Sequence, residues 1–326
     1  MIAFYEPVSG QHILNKKETS IPSIRAEEVL IQIKASGVNR ADLLQRRGLY
    51  PPPENVTSVM GLECAGEIVQ VGTSVSGWKP GDRVCVLLAG GGYAEFVSAH
   101  SSMVLRIPES WTFEEAAAFP EAFYTAYYNL FFIGNLSGSQ SVLIHAGGSG
   151  VGTAAIQLAH AHSHKIFTTV GSEEKVLACR KLGADYCINY NNDDFQKKIY
   201  AITQGLGVDV IVDVVGAKYL EANLRCLAYK GTLVIIGLMG GAKSSLNLAV
   251  LLDKNLTIRS TTLRHQPLSM KSELTQLVSR HVLPLAESGK IKPVVDSVFS
   301  FNDVEQAHQR MLENKNFGKI VLTWRK

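Results

Sequence analysis

The pattern of hydrophobic and polar residues changes twice along the chain. Up to about residue 120, short apolar segments are separated by turns rich in Gly and Pro, such as Lys79-Pro-Gly-Asp82. This spacing predicts short strands and a barrel-like antiparallel module. The predicted strands cover residues 29–38, 66–72, 82–88 and 93–99.

Between about residue 140 and residue 262, strands and helices alternate. The strands are near-continuous runs of Val, Ile and Leu, which is typical of a parallel sheet covered on both faces. This region is therefore predicted to be a doubly wound α/β domain. Its strands are predicted at 141–146, 165–170, 185–190, 208–215, 231–238 and 256–262, and its helices at 151–164, 173–182, 193–204 and 217–227.

A helical segment precedes this domain and a short tail follows it. Helical spacing runs from Thr112 to about residue 132, and Thr112 with Glu115 forms a capping-box pattern. The tail of about 60 residues is small for a separate domain, so it is predicted to complete the N-terminal module. Its elements are a helix at 269–288, a strand at 294–298, a helix at 303–314 and a strand at 319–324. We therefore predict one domain of residues 1–121 and 265–326, and a second of residues 122–264.

The segment from Ser141 to Val170 has the length and pattern of a βαβ unit. Between its first strand and its helix lies a glycine-rich turn, Gly147-Gly-Ser149-Gly-Val-Gly152. This is the dinucleotide fingerprint G-x-G-x-x-G with Ser at the middle glycine. Glycines let the backbone approach a pyrophosphate, and the helix N-terminus presents free amides to its charge. The turn therefore predicts a dinucleotide site.

The end of the second strand indicates which dinucleotide binds. An NAD site needs an acidic residue here for the ribose 2′-hydroxyl, but the strand is followed by Gly171 and Ser172. Gly171 leaves space, Ser172 supplies a hydroxyl and Lys175 a positive charge, which together suit a 2′-phosphate. The neighbouring Glu173 and Glu174 weaken this argument. We predict NADPH rather than NADH.

Composition excludes several classes of protein. The net charge of +3 over 326 residues is too small to indicate a nucleic-acid or membrane partner. Five cysteines without a C-x-x-C motif suggest reduced thiols in a cytoplasmic protein. The N-terminus lacks the pattern of a signal peptide, and no apolar run reaches the ~20 residues of a spanning helix.

Several separated motifs make the sequence resemble the medium-chain dehydrogenase/reductase superfamily. Within it, the sequence is most similar to the zinc-independent quinone oxidoreductase (zeta-crystallin-like) branch, specifically the type induced by a tumour-suppressor transcription factor. The resemblance covers nearly the whole chain, and implies a Rossmann domain and a GroES-like antiparallel barrel. The motifs are Asn39-Arg-Ala-Asp42, Gly61-Leu-Glu-Cys-Ala-Gly66, Gly81-Asp82, Gly90–Ala94, His145–Gln157, Gly171-Ser172 and Asn316-Phe-Gly-Lys-Ile-Val321.

The resemblance also implies a set of site residues. Nicotinamide contacts are expected from Asn39, Thr125, Gly237, Leu238 and Met239, and Lys319 is expected near the cofactor. Pyrophosphate contacts are expected from Gly147, Ser149, Gly150, Val151 and Gly152. Contacts to the 2′-phosphate are expected from Gly171, Ser172, Lys175 and Tyr190. Tyr50, which precedes Pro51-Pro-Pro53, is expected at a rigid, exposed site bordering the quinone.

The sequence departs from the zinc-dependent members of the superfamily. The positions of the zinc ligands are occupied by Asn39 and Leu62, and only Glu63 remains. The four-cysteine zinc loop is absent too, and we interpret His160, His162 and His164 as surface residues of a helix end. We therefore predict no metal.

The predicted activity is NADPH-dependent hydride transfer to a quinone, with Asn39 positioning the cofactor and Tyr50 contacting the substrate. A quinone is a good acceptor and needs no metal to polarise it. Two alternatives stay open: reduction of the double bond of a 2-alkenal or enone, and a non-catalytic role as a crystallin-like or RNA-binding protein. Residues 256–262 read as an exposed edge strand, which predicts a homodimer, or a tetramer, through that edge.

Overall fold

The computed structural model describes residues 1–8 and 13–324, which form two compact units. One consists of residues 1–124 and 263–326, and the other of residues 125–262. The strands are β1 (Ile2–Tyr5), β2 (Asn15–Glu18), β3 (Glu28–Val38), β4 (Glu63–Val71), β5 (Arg83–Leu87), β6 (Phe96–His100), β7 (Val104–Arg106), β8 (Ser141–Ile144), β9 (Lys165–Val170), β10 (Tyr186–Asn189), β11 (Val208–Asp213), β12 (Leu227–Ile235), β13 (Thr257–Ser260), β14 (Val295–Ser300) and β15 (Lys319–Thr323).

The α-helices of the two units vary in length from a single turn to about four turns. They are α1 (Arg40–Gln45), α2 (Phe113–Ala117), α3 (Pro120–Tyr127), α4 (Gly150–Ala161), α5 (Glu173–Lys181), α6 (Phe195–Ile202), α7 (Leu220–Cys226), α8 (Leu248–Lys254), α9 (Leu268–His281), α10 (Leu283–Glu287) and α11 (Val304–Leu312). A π-helical segment, Tyr128–Ile133, continues α3.

The first unit is built on a seven-stranded sheet in the order β14-β15-β3-β4-β5-β7, with β6 also paired to β3. All of its pairs are antiparallel except β14 with β15. The tail of the chain joins this sheet, since β15 pairs with β3 in the register Leu322↔Ser36. Its core includes Phe4, Met60, Tyr93, Phe301 and Ile320.

Two helices predicted as continuous are interrupted. The segment after Thr112 divides into α2 and α3 because Pro120, which begins α3, has no N–H to donate to the preceding turn. Thr112 and Glu115 do form the predicted capping box at the start of α2. Similarly, α9 ends at His281, and Pro284 lies in the first turn of α10. Both interruptions are caused by a proline. The prediction rested on the spacing of apolar residues, which takes no account of proline.

The second unit contains a six-stranded parallel sheet in the order β10-β9-β8-β11-β12-β13. In chain order from β8, this is the arrangement 3-2-1-4-5-6 of a dinucleotide-binding fold. Strand β8 lies between β9 and β11, with Leu143 opposite Phe167 on one side and Ile211 on the other. From β8 the chain first moves to β9 and β10 on one side and then crosses to β11 on the other side of β8. The switch point of the sheet therefore lies at the carboxyl end of β8. The predicted doubly wound fold is confirmed.

Some boundaries in this unit were predicted wrongly. Helix α4 ends at Ala161 rather than at residue 164, so His162 and His164 lie beyond the helix, and the prediction that His164 is a surface residue was wrong. His164 is buried, and one ring nitrogen lies 3.1 Å from the Gln140 carbonyl oxygen. Strand β12 begins at Leu227 and ends at Ile235, earlier than predicted. The edge position of β13 is observed, and all four of its residues are exposed.

Candidate cofactor and substrate site

The glycine turn connects β8 to α4 at the switch point of the second unit. Ser149 caps α4, and its hydroxyl accepts a hydrogen bond of 2.9 Å from the Gly152 N–H. Two of the glycines allow close approach of the backbone. A Cβ at Gly152 would overlap the Ala146 carbonyl oxygen, and a Cβ at Gly147 would overlap the Thr168 hydroxyl. The turn thus lies directly against β9, with the N-terminal amides of α4 left outside the helical ladder.

The structure brings together the four residues proposed for the 2′-phosphate. Gly171 follows β9, and Ser172 caps α5 by accepting a hydrogen bond of 3.3 Å from the Lys175 N–H. The Tyr190 hydroxyl lies 2.6 Å from where a Cβ at Gly171 would be. Tyr190 is nearly half exposed, and Lys175 is partly exposed. A phenol therefore lies directly beside a position without a side chain, and Ser172 and Lys175 follow in the cap and first turn of α5.

One of the two acidic residues that weakened the phosphate argument, Glu173, is hydrogen-bonded to amide donors. The Glu173 carboxylate accepts hydrogen bonds from the side-chain amides of Asn189, at 2.7 Å, and Asn192, at 3.1 Å. Asn191 also donates to the Gly171 carbonyl oxygen at 2.8 Å. Asn189 ends β10 and the other two follow it, and Asn191 connects this strand end to the residue after β9. Glu173 is thus engaged with amide donors of the neighbouring strand end.

A buried polar cluster at the same edge of the sheet was missed in the sequence. His145 follows β8, and its two ring nitrogens lie 2.8 Å from the Thr169 hydroxyl and 2.7 Å from the Asn223 side-chain oxygen. Asn223 in turn donates to Asp213, the last residue of β11, at 3.2 Å. Burial lowers the pKa of His145 and raises that of Asp213. Polar residues that end two apolar strands were the available signal.

The remaining cofactor residues proposed in this unit lie on a helix and a loop. Thr125 is in α3, and its carbonyl oxygen accepts a hydrogen bond of 2.9 Å from Asn129. Gly237, Leu238 and Met239 follow the end of β12, and the Met239 N–H donates to the Val214 carbonyl oxygen. The loop therefore lies beside the carboxyl end of β11, although Leu238 and Met239 are more than half exposed.

In the first unit, Asn39 and Lys319 meet on the carboxylate of Glu63. The Lys319 ammonium donates to Glu63 Oε1 at 2.6 Å, to Asn39 Oδ1 at 2.5 Å and to the Val38 carbonyl oxygen at 2.9 Å. Asn39 Nδ2 donates to the same Oε1 at 2.8 Å, and the Glu121 N–H donates to Oε2 at 2.8 Å. All three side chains of this cluster are buried. The Asn39 amide is therefore held in one orientation from both ends.

The contacts of Glu63 leave no oxygen of its carboxylate for a zinc ion. Glu63, the residue that remains of the usual zinc set, is bonded through both oxygens to Asn39, Lys319 and the Glu121 amide. An ammonium group thus supplies the positive charge beside this carboxylate. Among residues 1–8 and 13–324, no group of three or more His, Cys, Asp or Glu side chains is arranged to hold a metal ion. The five cysteines are unpaired thiols.

Two further carboxyl groups near this cluster hold protons unusually tightly. Burial and the neighbouring Glu63 carboxylate raise the pKa of Glu121 to about 8, despite the opposing charge of Lys319. Burial raises the pKa of Asp42 to about 6. Asp42 Oδ2 accepts hydrogen bonds from the Asn39 N–H at 2.7 Å and the Tyr93 hydroxyl at 3.0 Å, while its buried Oδ1 has no partner in the described part of the chain.

We expect Asp42→Asn to change how stability depends on pH. Asp42 binds its proton more tightly when folded than at its ordinary pKa of 3.8, so wild-type stability falls as the pH rises through about 4 to 6. The variant lacks this titration, and its stability relative to wild type should rise by roughly 2 kcal/mol over that window. Urea unfolding at about pH 4 and about pH 7 measures the difference. The exposed Asp253→Asn is the control, and equal pH profiles for D42N and wild type would contradict the expectation.

The expectation that Tyr50 is exposed was wrong. Tyr50 is half-buried, with the Arg264 guanidinium 5.3 Å from its ring centroid and the His265 ring at 5.3 Å in an edge-on arrangement. Burial, with the charge of Glu121, raises the pKa of Tyr50 to about 12, so the phenol keeps its proton. Prolines 51–53 predicted a fixed backbone for this loop. The burial of Tyr50 could not be predicted in the same way, because its partners Arg264 and His265 are distant in sequence.

Comparisons with known proteins agree with this architecture. Residues 25–109 match the alcohol dehydrogenase GroES-like domain family, and residues 150–280 match the zinc-binding dehydrogenase family. The chain is 36% identical over 313 residues to the synaptic vesicle membrane protein VAT-1 homolog of Rattus norvegicus, covering 90% of this chain and 76% of that protein. No helix in the described residues is long and apolar enough to cross a membrane.

Two solved structures cover almost the entire chain. The Escherichia coli quinone oxidoreductase complexed with NADPH has a TM-score of 0.89 and 31% identity, with 99% of each chain covered. The CurK enoyl reductase has a TM-score of 0.86 and 30% identity, with 99% of this chain and 98% of that one covered. These matches confirm the fold class and the oxidoreductase family predicted from the motifs. The chain belongs to the medium-chain dehydrogenase/reductase superfamily, as an oxidoreductase that binds a nicotinamide cofactor and has relatives among quinone oxidoreductases and VAT-1 homologs.

Proposed function

We propose that the protein is an NADPH-dependent quinone oxidoreductase. The observation that carries the cofactor choice is the Tyr190 hydroxyl beside Gly171, next to the α5 cap Ser172 and with Lys175 in the first turn of that helix. An acidic residue at this strand end would accept a ribose 2′-hydroxyl, whereas this set offers donors and a positive charge to a phosphate. The NADPH complex of the E. coli quinone oxidoreductase supports both the cofactor and the acceptor class.

In this proposal the residues of the second unit bind the phosphates of the cofactor. The N-terminal amides of α4, at Gly150 and Val151, face the pyrophosphate, and Gly147 and Gly152 let the backbone approach it. The cofactor, when bound, supplies the hydride. Thr125 and the loop Gly237 to Met239 are assigned to the nicotinamide, as the family resemblance implies.

The residues assigned to the reacting end follow from the family resemblance. Asn39 contacts the nicotinamide, and its orientation is set by Lys319 and Glu63 before any ligand binds, so little reorganisation is needed. Lys319 is itself assigned to the cofactor side of this cluster. Tyr50 borders the acceptor and donates a hydrogen bond to its oxygen, since a phenol with a pKa of about 12 keeps its proton at neutral pH.

The activity is tested by following NADPH oxidation at 340 nm, the nicotinamide absorbance, with an ortho-quinone, a para-quinone and a 2-alkenal in parallel. We expect turnover with at least one quinone and a preference for quinones over the alkenal. Absence of NADPH oxidation with every quinone would refute the proposed function. An electrophoretic shift with short RNA tests the non-catalytic alternative.

Lys175→Ala is expected to weaken NADPH binding by at least about tenfold, because a charge-assisted hydrogen bond contributes about 1.5–3 kcal/mol. NADH affinity should not change, since NADH lacks the 2′-phosphate. Fluorescence titration gives both dissociation constants. Lys181→Ala, which removes an exposed lysine from the last turn of the same helix, is the matched control. Equal losses for NADPH and NADH would place Lys175 away from the 2′-phosphate.

The second candidate function is reduction of a carbon–carbon double bond conjugated to a carbonyl. The similarity to the CurK enoyl reductase favours it. This reaction needs a proton as well as a hydride, and Glu121 and Tyr50 both carry one at neutral pH. A higher kcat/KM for the 2-alkenal than for either quinone would favour this candidate.

We also propose a homodimer paired through β13 of the second unit, in a cytoplasmic protein. The strand lies at the sheet edge, and Ile258 is more than one-third exposed. An unpaired edge offers hydrogen-bonding groups to a second copy. Light scattering should give twice the chain mass of 35.5 kDa, and Ile258→Lys should reduce it to the monomer. Val298→Lys on β14, the edge strand of the other sheet, should leave the mass unchanged. A monomeric wild type would refute the dimer.

A further inference from the structure

We propose that Arg264 is the positioning residue for Tyr50 and thereby for the acceptor, an inference that rests on the proposed function. Arg264 is only 6% exposed and directs three nitrogens to three different segments. Nε donates to the Ala89 carbonyl oxygen at 2.7 Å, Nη1 to the Tyr50 carbonyl oxygen at 3.1 Å and Nη2 to Gln45 Oε1 at 2.8 Å. The same guanidinium lies 5.3 Å from the Tyr50 ring centroid.

These contacts fix what the local sequence leaves free. Prolines 51–53 restrict the backbone after Tyr50, but they do not determine the side-chain torsions of Tyr50. Arg264 holds the Tyr50 main chain by a hydrogen bond and its ring by a cation–π contact. One residue thus constrains both the position and the orientation of the phenol.

Burial and the neighbouring acidic groups shift the pKa of Arg264 in opposite directions. Burial lowers the pKa of Arg264, while Tyr50, Asp42, Glu121 and Glu6 oppose that shift. A guanidinium remains charged under such burial, whereas an ammonium would lose its proton more readily and lacks the planar fork. The geometry therefore requires arginine rather than any cation.

The neighbouring residues support the same segment. His265 contacts the Tyr50 ring edge-on at 5.3 Å, so consecutive residues contact the phenol from two directions. Lys271 in α9 donates to the Arg264 carbonyl oxygen at 3.4 Å. The segment that carries Arg264 is therefore anchored to a helix and does not depend on the Tyr50 loop for its position.

The test is a double-mutant cycle between Arg264→Lys and Tyr50→Leu, with kcat/KM for the quinone and Kd for NADPH measured in each protein. We expect R264K to lower kcat/KM roughly 10- to 100-fold, as expected for a displaced contact group, and to leave the NADPH Kd unchanged. In the Y50L background, R264K should have no further effect, because its target is absent. The inference would be overturned if the losses of kcat/KM in R264K and Y50L multiplied in the double variant. It would also be overturned if R264K weakened NADPH binding as much as it lowered kcat/KM.

A second measurement does not depend on activity. With 3-fluorotyrosine incorporated at position 50, the fluorine resonance should be single and shifted from its denatured position in wild type, and should broaden or move towards that position in R264K. An unchanged resonance in R264K would overturn the inference. Arg225→Lys, an exposed arginine in α7, is the control substitution. If wild type reduces no quinone, the proposed function fails, while the fluorine result still decides the role of Arg264.

Discussion

Lys319→Met is expected to lower the free energy of unfolding of the first unit by about 3–5 kcal/mol, because it leaves the Glu63 carboxylate buried without its cation. Methionine is close to lysine in length, so the loss arises from charge more than from volume. The Lys319–Glu63 pair is almost completely buried, with side-chain exposures of 5% and 0%. All three tryptophans, Trp78, Trp111 and Trp324, lie in this unit, so urea unfolding followed by tryptophan fluorescence reports on it.

The control for this variant is Lys315→Met, which removes an exposed lysine paired with Glu313 at 2.6 Å. An exposed ion pair contributes less than about 1 kcal/mol, so this substitution should be nearly neutral. Adding Glu63→Gln to Lys319→Met should recover part of the loss, since the unpaired charge is removed. A K319M protein as stable as K315M would contradict the buried pairing.

Gly152→Ala is expected to weaken NADPH binding roughly 10- to 100-fold, equivalent to about 1–3 kcal/mol of overpacking at the turn. The added methyl group would overlap the Ala146 carbonyl oxygen and would lie 2.7 Å from Gly147 Cα. Both neighbours are backbone atoms of the same turn, so relief requires moving the amides proposed for the pyrophosphate. Fluorescence titration with NADPH and with NADH should show the same loss, because both carry a pyrophosphate.

Gly138→Ala is the matched control in the same unit. Gly138 has a left-handed φ of 55° and no atoms within contact distance of an added Cβ. Alanine there costs about 1–2 kcal/mol of backbone strain without touching the turn. Stability should fall while the NADPH Kd stays at the wild-type value. Unaltered NADPH binding in G152A would show that the turn does not hold the pyrophosphate.

Features that depend on neighbouring residues were predictable from the sequence. The glycine turn, the capping box of Thr112 and Glu115 and the apolar strands of the second unit are local, because periodicity and hydrogen-bonding chemistry act over a few residues. The break before Pro120 was equally local, but helical spacing outweighed the proline in the prediction. Boundaries were therefore less accurate than the existence of the elements.

Contacts between distant residues could not be predicted. Lys319 reaches Glu63 across 256 positions, and Arg264 reaches the Tyr50 carbonyl oxygen across 214. No periodicity or spacing encodes such pairs, since they arise only when separate strands and loops meet. Family resemblance assigned Lys319 to the cofactor, but it did not reveal the buried carboxylate or the orientation of Asn39. The half-burial of Tyr50 was missed for the same reason.

The place of β15 in the first sheet has a consequence for the order in which the chain folds during translation. Strand β3 is made before every strand of the second unit, yet its neighbour β15 is made after all of them. All strands of the second unit emerge in one continuous stretch before that, so this unit can fold while the first sheet is still incomplete. Until β15 emerges, residues 35–38 of β3 lack their partner strand, and premature termination before Lys319 would leave this part of the edge free to aggregate.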